Sequence, residues 1–177
     1  SAGGEVSDIK KVVSPVLIRD RNTAIYYIDF SFDNFQLGGS AFAQSLGKIG
    51  KTAPTVKDSE YFASAFNTIQ ELIEKDLILA GHDISAGGII TALLEMNFGN
   101  PEGGLEINLD KIAEKDIIKI LFSENPGVLI QVKDKNSVEK ILQNNGIGFS
   151  KIGRPCKERH ILVKKDNAEY QFGIDYL

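Results

Sequence analysis

Residues 77–97 hold the pattern that most restricts the fold: an apolar run, a glycine-bearing turn, and a helix with almost no charge. Leu77 to Asp83 reads as a buried strand. Ser85 to Asn97 reads as a helix in which Ile89, Ile90, Leu93, Leu94 and Met96 spread apolar surface broadly around the axis. Such a helix has little to offer water, so it belongs at the centre of a layered structure, against a sheet. Ala24-Ile25-Tyr26-Tyr27-Ile28-Asp29, β-rich and nearly all apolar, suits a strand covered on both faces.

The remaining pattern supplies partners for these two elements. Ser59 to about Asp76 is the clearest amphipathic helix, with Phe62, Phe66, Ile69, Leu72 and Ile73 recurring at three- and four-residue steps. Gly38-Gly39-Ser40 opens a short helix carrying Phe42 and Leu46, with Gly47 just past its end. Further helices are predicted over Glu114–Leu121 and Val138–Gln143, the latter capped by Asn136-Ser137. Strands are predicted over Gly104–Leu109, Val128–Val132, Phe149–Ile152, His160–Lys164 and Glu169–Phe172, after a short extended piece at Pro15–Ile18. Turns fall at Glu124-Asn125-Pro126-Gly127 and Asp166-Asn167. Helices and strands alternate through the middle and strands dominate the end. The expected fold is α/β (α+β): one domain over residues 1–177, with a mixed sheet covered by helices.

Composition narrows the function. The chain has 20 Lys+Arg against 24 Asp+Glu, a formal charge of −4, which argues against a nucleic-acid binder unless a local basic patch exists. A single cysteine, Cys156, permits no intrachain disulfide. No apolar run approaches the ~20 residues of a membrane span; Gly87–Leu94 is among the longest. Ser1-Ala2-Gly3-Gly4-Glu5 has neither the basic nor the apolar region of a signal peptide, so a cytoplasmic protein is expected. The start also lacks an initiator Met, which leads us to expect a piece of a longer multidomain enzyme.

The chemistry concentrates in Gly81-His82-Asp83-Ile84-Ser85-Ala86-Gly87-Gly88, where a buried strand stops and a helix begins. Open α/β sheets bind ligands at such junctions, and a helix start favours an anion through its unpaired N–H groups. Ala86, Gly87 and Gly88 keep the first turn bare, so a phosphate can approach the backbone closely. Asp83 on its own would repel that phosphate; Mg²⁺, a hard cation that prefers oxygen ligands, reconciles the two. Ser85 can either cap the helix or donate its hydroxyl to a phosphate oxygen. His82 at a strand end reads first as a hydrogen-bonded structural histidine. The segment matches neither the nucleotide P-loop nor the dinucleotide glycine fingerprint. Gly38-Gly39-Ser40 repeats the theme more weakly, and Glu124 at a sheet edge can line a cleft. Arg154, Lys157 and Arg159 around Cys156 could lower its pKa, but a chance neighbourhood in a polar turn is the favoured reading. No nucleophile–base pair is present, so no catalytic residue is assigned.

His82-Asp83-Ile84-Ser85-Ala86-Gly87-Gly88 resembles the His-Asp-x-Ser-x-Gly-Gly segment of the phosphoribosylformylglycinamidine synthase family, purine-pathway amidotransferases of the large, single-chain type. Leu37-Gly38-Gly39-Ser40-Ala41-Phe42-Ala43-Gln44 is similar to that family's Leu-Gly-Gly-Ser helix start. Leu121-Phe122-Ser123-Glu124 followed by Gly127-Val128-Leu129-Ile130-Gln131-Val132 is similar to the segment leading into a later core strand. Order and spacing agree across nearly the whole chain. The wider superfamily includes aminoimidazole ribonucleotide synthase, selenophosphate synthetase, thiamine-phosphate kinase and a hydrogenase maturation protein. Each pairs an N-terminal dimerising domain with a C-terminal one.

The resemblance implies a layered α/β/α domain like the C-terminal domain of aminoimidazole ribonucleotide synthase, in the second of two repeats. It implies cofactors Mg²⁺ and ATP/ADP, with ADP held structurally, and a role in converting formylglycinamide ribonucleotide, glutamine and ATP to formylglycinamidine ribonucleotide. Carried over, Asp83 would be a magnesium ligand and Ser85, Gly87 and Gly88 would face the nucleotide phosphates; Gly38, Gly39, Ser40 and Glu124 are candidate substrate-binding residues. Ala86 stands where the family often has Asp, so any role of that carboxylate is absent. The implied partners are an N-terminal synthase-like domain and a glutaminase domain of the same enzyme, with no nucleic acid and no membrane. Another ATP-dependent member of the superfamily, or a non-catalytic docking scaffold, remains open at this point.

Overall fold

The computed structural model describes residues 8–176; the expectation drawn from Ser1–Glu5 lies outside the described residues. Among the described residues, strands β1 (Ala24–Asp29), β2 (Ala80–Asp83), β3 (Gly104–Asn108), β4 (Gly127–Val132), β5 (Phe149–Cys156), β6 (His160–Lys165) and β7 (Ala168–Gly173) form one sheet in the order β2-β4-β1-β5-β3-β6-β7. β3 and β6 run parallel, and the other neighbours are antiparallel, so the sheet is mixed as expected. The helices are α1 (Ala41–Ser45), α2 (Ser59–Glu74), α3 (Gly88–Phe98), α4 (Ile117–Phe122) and α5 (Lys135–Asn144).

Alternation along β1 builds both cores. Ala24, Tyr26 and Ile28 enter one core with Ala65, Ile69 and Leu72 of α2 and Val138 and Leu142 of α5. Ile25 and Tyr27 enter the other with Ile89, Leu93 and Met96 of α3 and Ile120 and Leu121 of α4. Each large side chain buried this way contributes about 1.5–3 kcal/mol. The result is a layered α/β/α domain, with the nearly uncharged α3 packed in the larger core.

Register decides where the loops gather. Asp29, the last residue of β1, lies opposite Gly127, the first of β4, and Asp83, the last of β2, lies opposite Val128. The chain leaving β1, the chain leaving β2 and the chain entering β4 therefore meet at one edge of the sheet. Phe30 N–H to the Pro126 carbonyl (2.9 Å) and Ile84 N–H to the Gly127 carbonyl (2.8 Å) continue the ladder into those loops.

Several boundaries differ from expectation for physical reasons. Leu77–Leu79 is an incoming arm rather than strand: α2 stops at Glu74, Asp76 takes a left-handed conformation (φ 56°), and β2 proper starts at Ala80. α4 starts at Ile117 because Asp116 caps it, accepting from the Ile118 N–H at 2.9 Å. α5 starts at Lys135, capped by Asp134 rather than by Asn136-Ser137; Ser137 supplies the N–H (3.1 Å) and hydroxyl (2.6 Å) that Asp134 receives. β5 runs on to Cys156, since its first part pairs with β1 and its second with β3. Gly153 allows this, because a Cβ there would lie 2.3 Å from the Glu106 carbonyl oxygen. No described helix is long and apolar enough to cross a membrane.

The extended piece at Pro15–Ile18 is fastened by a fully buried amide. Gln131 Nε2 donates to the Ile18 carbonyl (2.6 Å) and the Thr23 hydroxyl (2.8 Å), and its Oε1 accepts from the Ile18 N–H (2.8 Å). Replacing Gln131 by Leu keeps the volume but strands these groups. The expected cost is about 2–3 kcal/mol of unfolding free energy, read as a lower urea midpoint at unchanged slope.

Candidate functional site

Three loops meet at the edge where β1 and β2 end. In the first, Gly38 N–H donates to the Thr52 carbonyl (2.8 Å) and Gly39 N–H to the Ile49 carbonyl (2.7 Å). Ser40 is buried and caps α1: its hydroxyl accepts from the Ala43 N–H (3.2 Å) and donates to the Leu37 carbonyl (2.7 Å). A Cβ at Gly38 would lie 2.3 Å from the Thr52 oxygen, so a close backbone crossing requires this glycine; Gly39 (φ 75°) faces open space.

The second loop follows β2. Ser85 does not cap α3, which corrects one of the two roles expected for it. The helix starts three residues later at Gly88, with the left-handed Gly87 (φ 88°) as N-cap and no side-chain cap. What Ser85 gives the turn is its carbonyl, which accepts from the Gly88 N–H at 3.1 Å; the residue itself is exposed. Gly88 is buried and also left-handed (φ 76°), and a Cβ there would meet the Leu121 and Ser123 carbonyl oxygens at 2.6 and 2.8 Å.

Ser123-Glu124-Asn125 forms the third loop and touches both of the others. The Ser123 hydroxyl donates to the Gln36 carbonyl (2.7 Å) and accepts from the Gln36 N–H (2.9 Å). Asn125 Nδ2 donates to the Ser31 hydroxyl (3.0 Å) and the Asn34 carbonyl (3.1 Å). Glu124 Oε1 accepts from the Ala41 N–H (2.8 Å) and from the Gly87 N–H (2.9 Å). Asp29 organises the exit of β1 in the same manner, receiving the Ser31 N–H (3.0 Å), the Ser31 hydroxyl (2.6 Å) and the Phe32 N–H (2.9 Å). Sequence reasoning did not find Asp29; the signal was a carboxylate two residues ahead of a serine at a strand end.

Asp83 stands apart from this web. Its side chain is 76% exposed, and the His82 ring lies beside it, with Nδ1 3.6 Å from Oδ1. Beside it opens a slot of about 350 Å³ with apolar walls that include Ile69, Ile73, Ile78, Val128 and Ile130. His82 has the structural role expected: Nε2 lies 3.2 Å from Glu95 Oε2 on α3, and Nδ1 lies 2.7 Å from the Asp83 carbonyl. Among the described residues no group of three or more His, Cys, Asp or Glu is arranged to hold a metal. The exposed Asp83 carboxylate is by its chemistry a hard oxygen donor of the kind that suits a Mg²⁺ whose other positions are filled by waters and phosphate oxygens.

Cys156 is not activated by its basic neighbours. Burial, followed by the nearby Glu158 and Glu106, pushes the thiol up. Arg154 is spent on Glu106 (2.8 Å) and Arg159 on Asp175 (3.0 Å).

The family described as AIR synthase related protein, C-terminal domain, matches residues 33–165. Two curated relatives carry the name that the sequence motifs resemble. A "Probable phosphoribosylformylglycinamidine synthase" of Caenorhabditis elegans is 34% identical over 168 residues, covering 87% of this chain and 12% of that protein. A "Probable phosphoribosylformylglycinamidine synthase, chloroplastic/mitochondrial" of Arabidopsis thaliana is 37% identical over 167 residues, covering 92% of this chain and 12% of that protein. The chain therefore spans only about an eighth of these relatives. In fold it is similar to PurL of Thermotoga maritima, solved with FGAR, at a TM-score of 0.73 and 18% identity over 95% of this chain and 29% of that one. Structures of the same PurL with ATP, ADP and AMPPCP give TM-scores of 0.72, 0.70 and 0.70.

The glycines of the two loops separate on substitution. Gly39→Ala meets only the left-handed backbone and is expected to cost about 1 kcal/mol. Gly88→Ala adds a collision with two carbonyls and is expected to cost about 3 kcal/mol or more. Thermal unfolding of the two variants side by side measures the difference.

Proposed function

This chain belongs to the AIR synthase related protein, C-terminal domain family, and from that premise we propose that it is one domain of an ATP-dependent purine-biosynthesis synthase. The whole enzyme would convert formylglycinamide ribonucleotide, glutamine and ATP to formylglycinamidine ribonucleotide, glutamate, ADP and phosphate. The names of the relatives support this reaction, and the FGAR and nucleotide complexes of the PurL neighbours support the ligand classes. This domain contributes half of a Mg-nucleotide site, with the N-terminal synthase-like and glutaminase domains as its partners.

One observation carries the assignment: an exposed carboxylate, Asp83, at the end of a strand, directly before a glycine-built helix start. When bound, the metal supplies positive charge that allows this carboxylate and a nucleotide's phosphates to share one place. Asp83 holds the metal and the exposed Ser85 hydroxyl orients a phosphate oxygen. Gly87 and Gly88 keep side chains out of the turn. Gly38, Gly39 and Ser40 form the facing wall, where the amides of Gly38 and Gly39 are already bonded and Gly39 leaves space for a substrate.

Titration of Mg-ADP into the full-length protein tests the reading. Asp83→Ala is expected to weaken binding at least tenfold in the presence of Mg²⁺, and an unchanged Kd would remove Asp83 from the metal. The 177-residue chain alone, given ammonia, ATP and formylglycinamide ribonucleotide, is expected to form no product; robust turnover would show that the chain holds a complete active site.

A further inference from the structure

Glu124 is a candidate substrate-binding residue by resemblance, and in the structure one of its two carboxylate oxygens is already engaged. One oxygen receives the N–H of Ala41, the first residue of α1, and the N–H of Gly87, the N-cap of α3, at 2.8 and 2.9 Å. Two helix starts, each with partial positive charge, thus converge on one anion supplied by a third loop. The convergence is enforced from the other side as well. Gly88 lacks a Cβ, and any Cβ there would collide with the carbonyls of Leu121 and Ser123, the residues leading into Glu124. Ser123 in turn grips Gln36, which precedes the Leu37–Ser40 turn.

We propose that Glu124 is a positioning residue, an internal hydrogen-bond acceptor of fixed length that sets the Gly38–Ala41 loop against the Ser85–Gly88 loop. Its acceptor oxygen satisfies backbone amides in place of a ligand. A phosphate brought to this edge finds the Gly87 amide occupied, and Asp83 can reach it only through a bridging cation. The geometry fixes the length of the side chain: Asp, one methylene shorter, cannot reach both amides from the same backbone, whereas Gln keeps the length and an acceptor oxygen.

That the two loops serve a nucleotide rests on the function proposed above; the bridging of the loops does not, and the experiment separates the two. Hydrogen–deuterium exchange on the full-length protein follows the peptides spanning 37–45 and 84–92, with α2 and α5 as internal controls. Glu124→Ala and Glu124→Asp are expected to speed exchange tenfold or more in the site peptides together while the controls stay unchanged, and Glu124→Gln is expected to restore protection. Mg-ADP affinity is expected to follow the same order, with Gln near wild type and Asp and Ala at least fivefold weaker. Unchanged protection in both Asp and Ala variants, or loosening confined to one loop, overturns the proposal. Loosened loops with unaltered Mg-ADP affinity overturn the positioning role. If Asp83→Ala still weakens Mg-ADP in that case, the nucleotide reading stands without it. Should Glu124→Ala fail to fold, the Asp and Gln pair decides.

Discussion

The structure depends on burying the central strands on both faces. β1 has no exposed side from Ala24 to Ile28, and β4 beside it is buried at Leu129, Ile130 and Val132. A strand of that kind is stable only if helices cover it above and below, because unburied apolar area forfeits the main favourable contribution to folding. α2 and α5 supply one cover and α3 and α4 the other. The low charge of α3 follows from its place in the larger core.

The same strands place the functional edge. Since β1 and β2 both pair with β4, and both end where β4 begins, three loops distant in sequence are delivered to one place. They are then held by polar contacts: Ser123, Glu124 and Asn125 bond to Gln36, Ala41, Gly87, Ser31 and Asn34. An edge fixed in this way is preorganised, which would lower the entropic cost of the ligand binding proposed above. Asp83 lies outside that web, with its carboxylate open to water.

Much of the fold was legible residue by residue. The three- and four-residue spacing of Ile69, Leu72 and their neighbours marked α2, and unbroken apolarity marked β1, because period and hydrophobicity are local properties. Helix starts were less legible. Asp134 took the cap of α5 from Asn136-Ser137, and Asp116 capped α4 later than its expected start at Glu114, because several polar residues compete and only geometry selects one. The expected strand Phe149–Ile152 stopped short, whereas pairing with two different partners carried β5 to Cys156.

Within the site, the motif residues themselves could be read in advance, and the glycine pairs were correctly placed at helix starts. Their reasons could not be read. Gly38 and Gly88 are glycine because other backbone passes within van der Waals distance, a fact that depends on residues 14 and 33 positions or more away. By itself the sequence determined the element types, the two-sided burial of β1 and the carboxylate beside a bare turn, all properties of near neighbours in the chain. Only the tertiary structure decided that Glu124 faces amides and that Ser85 leaves the cap to Gly87. Hydrogen-bond partners are chosen by distance in space, and strand register sets that distance.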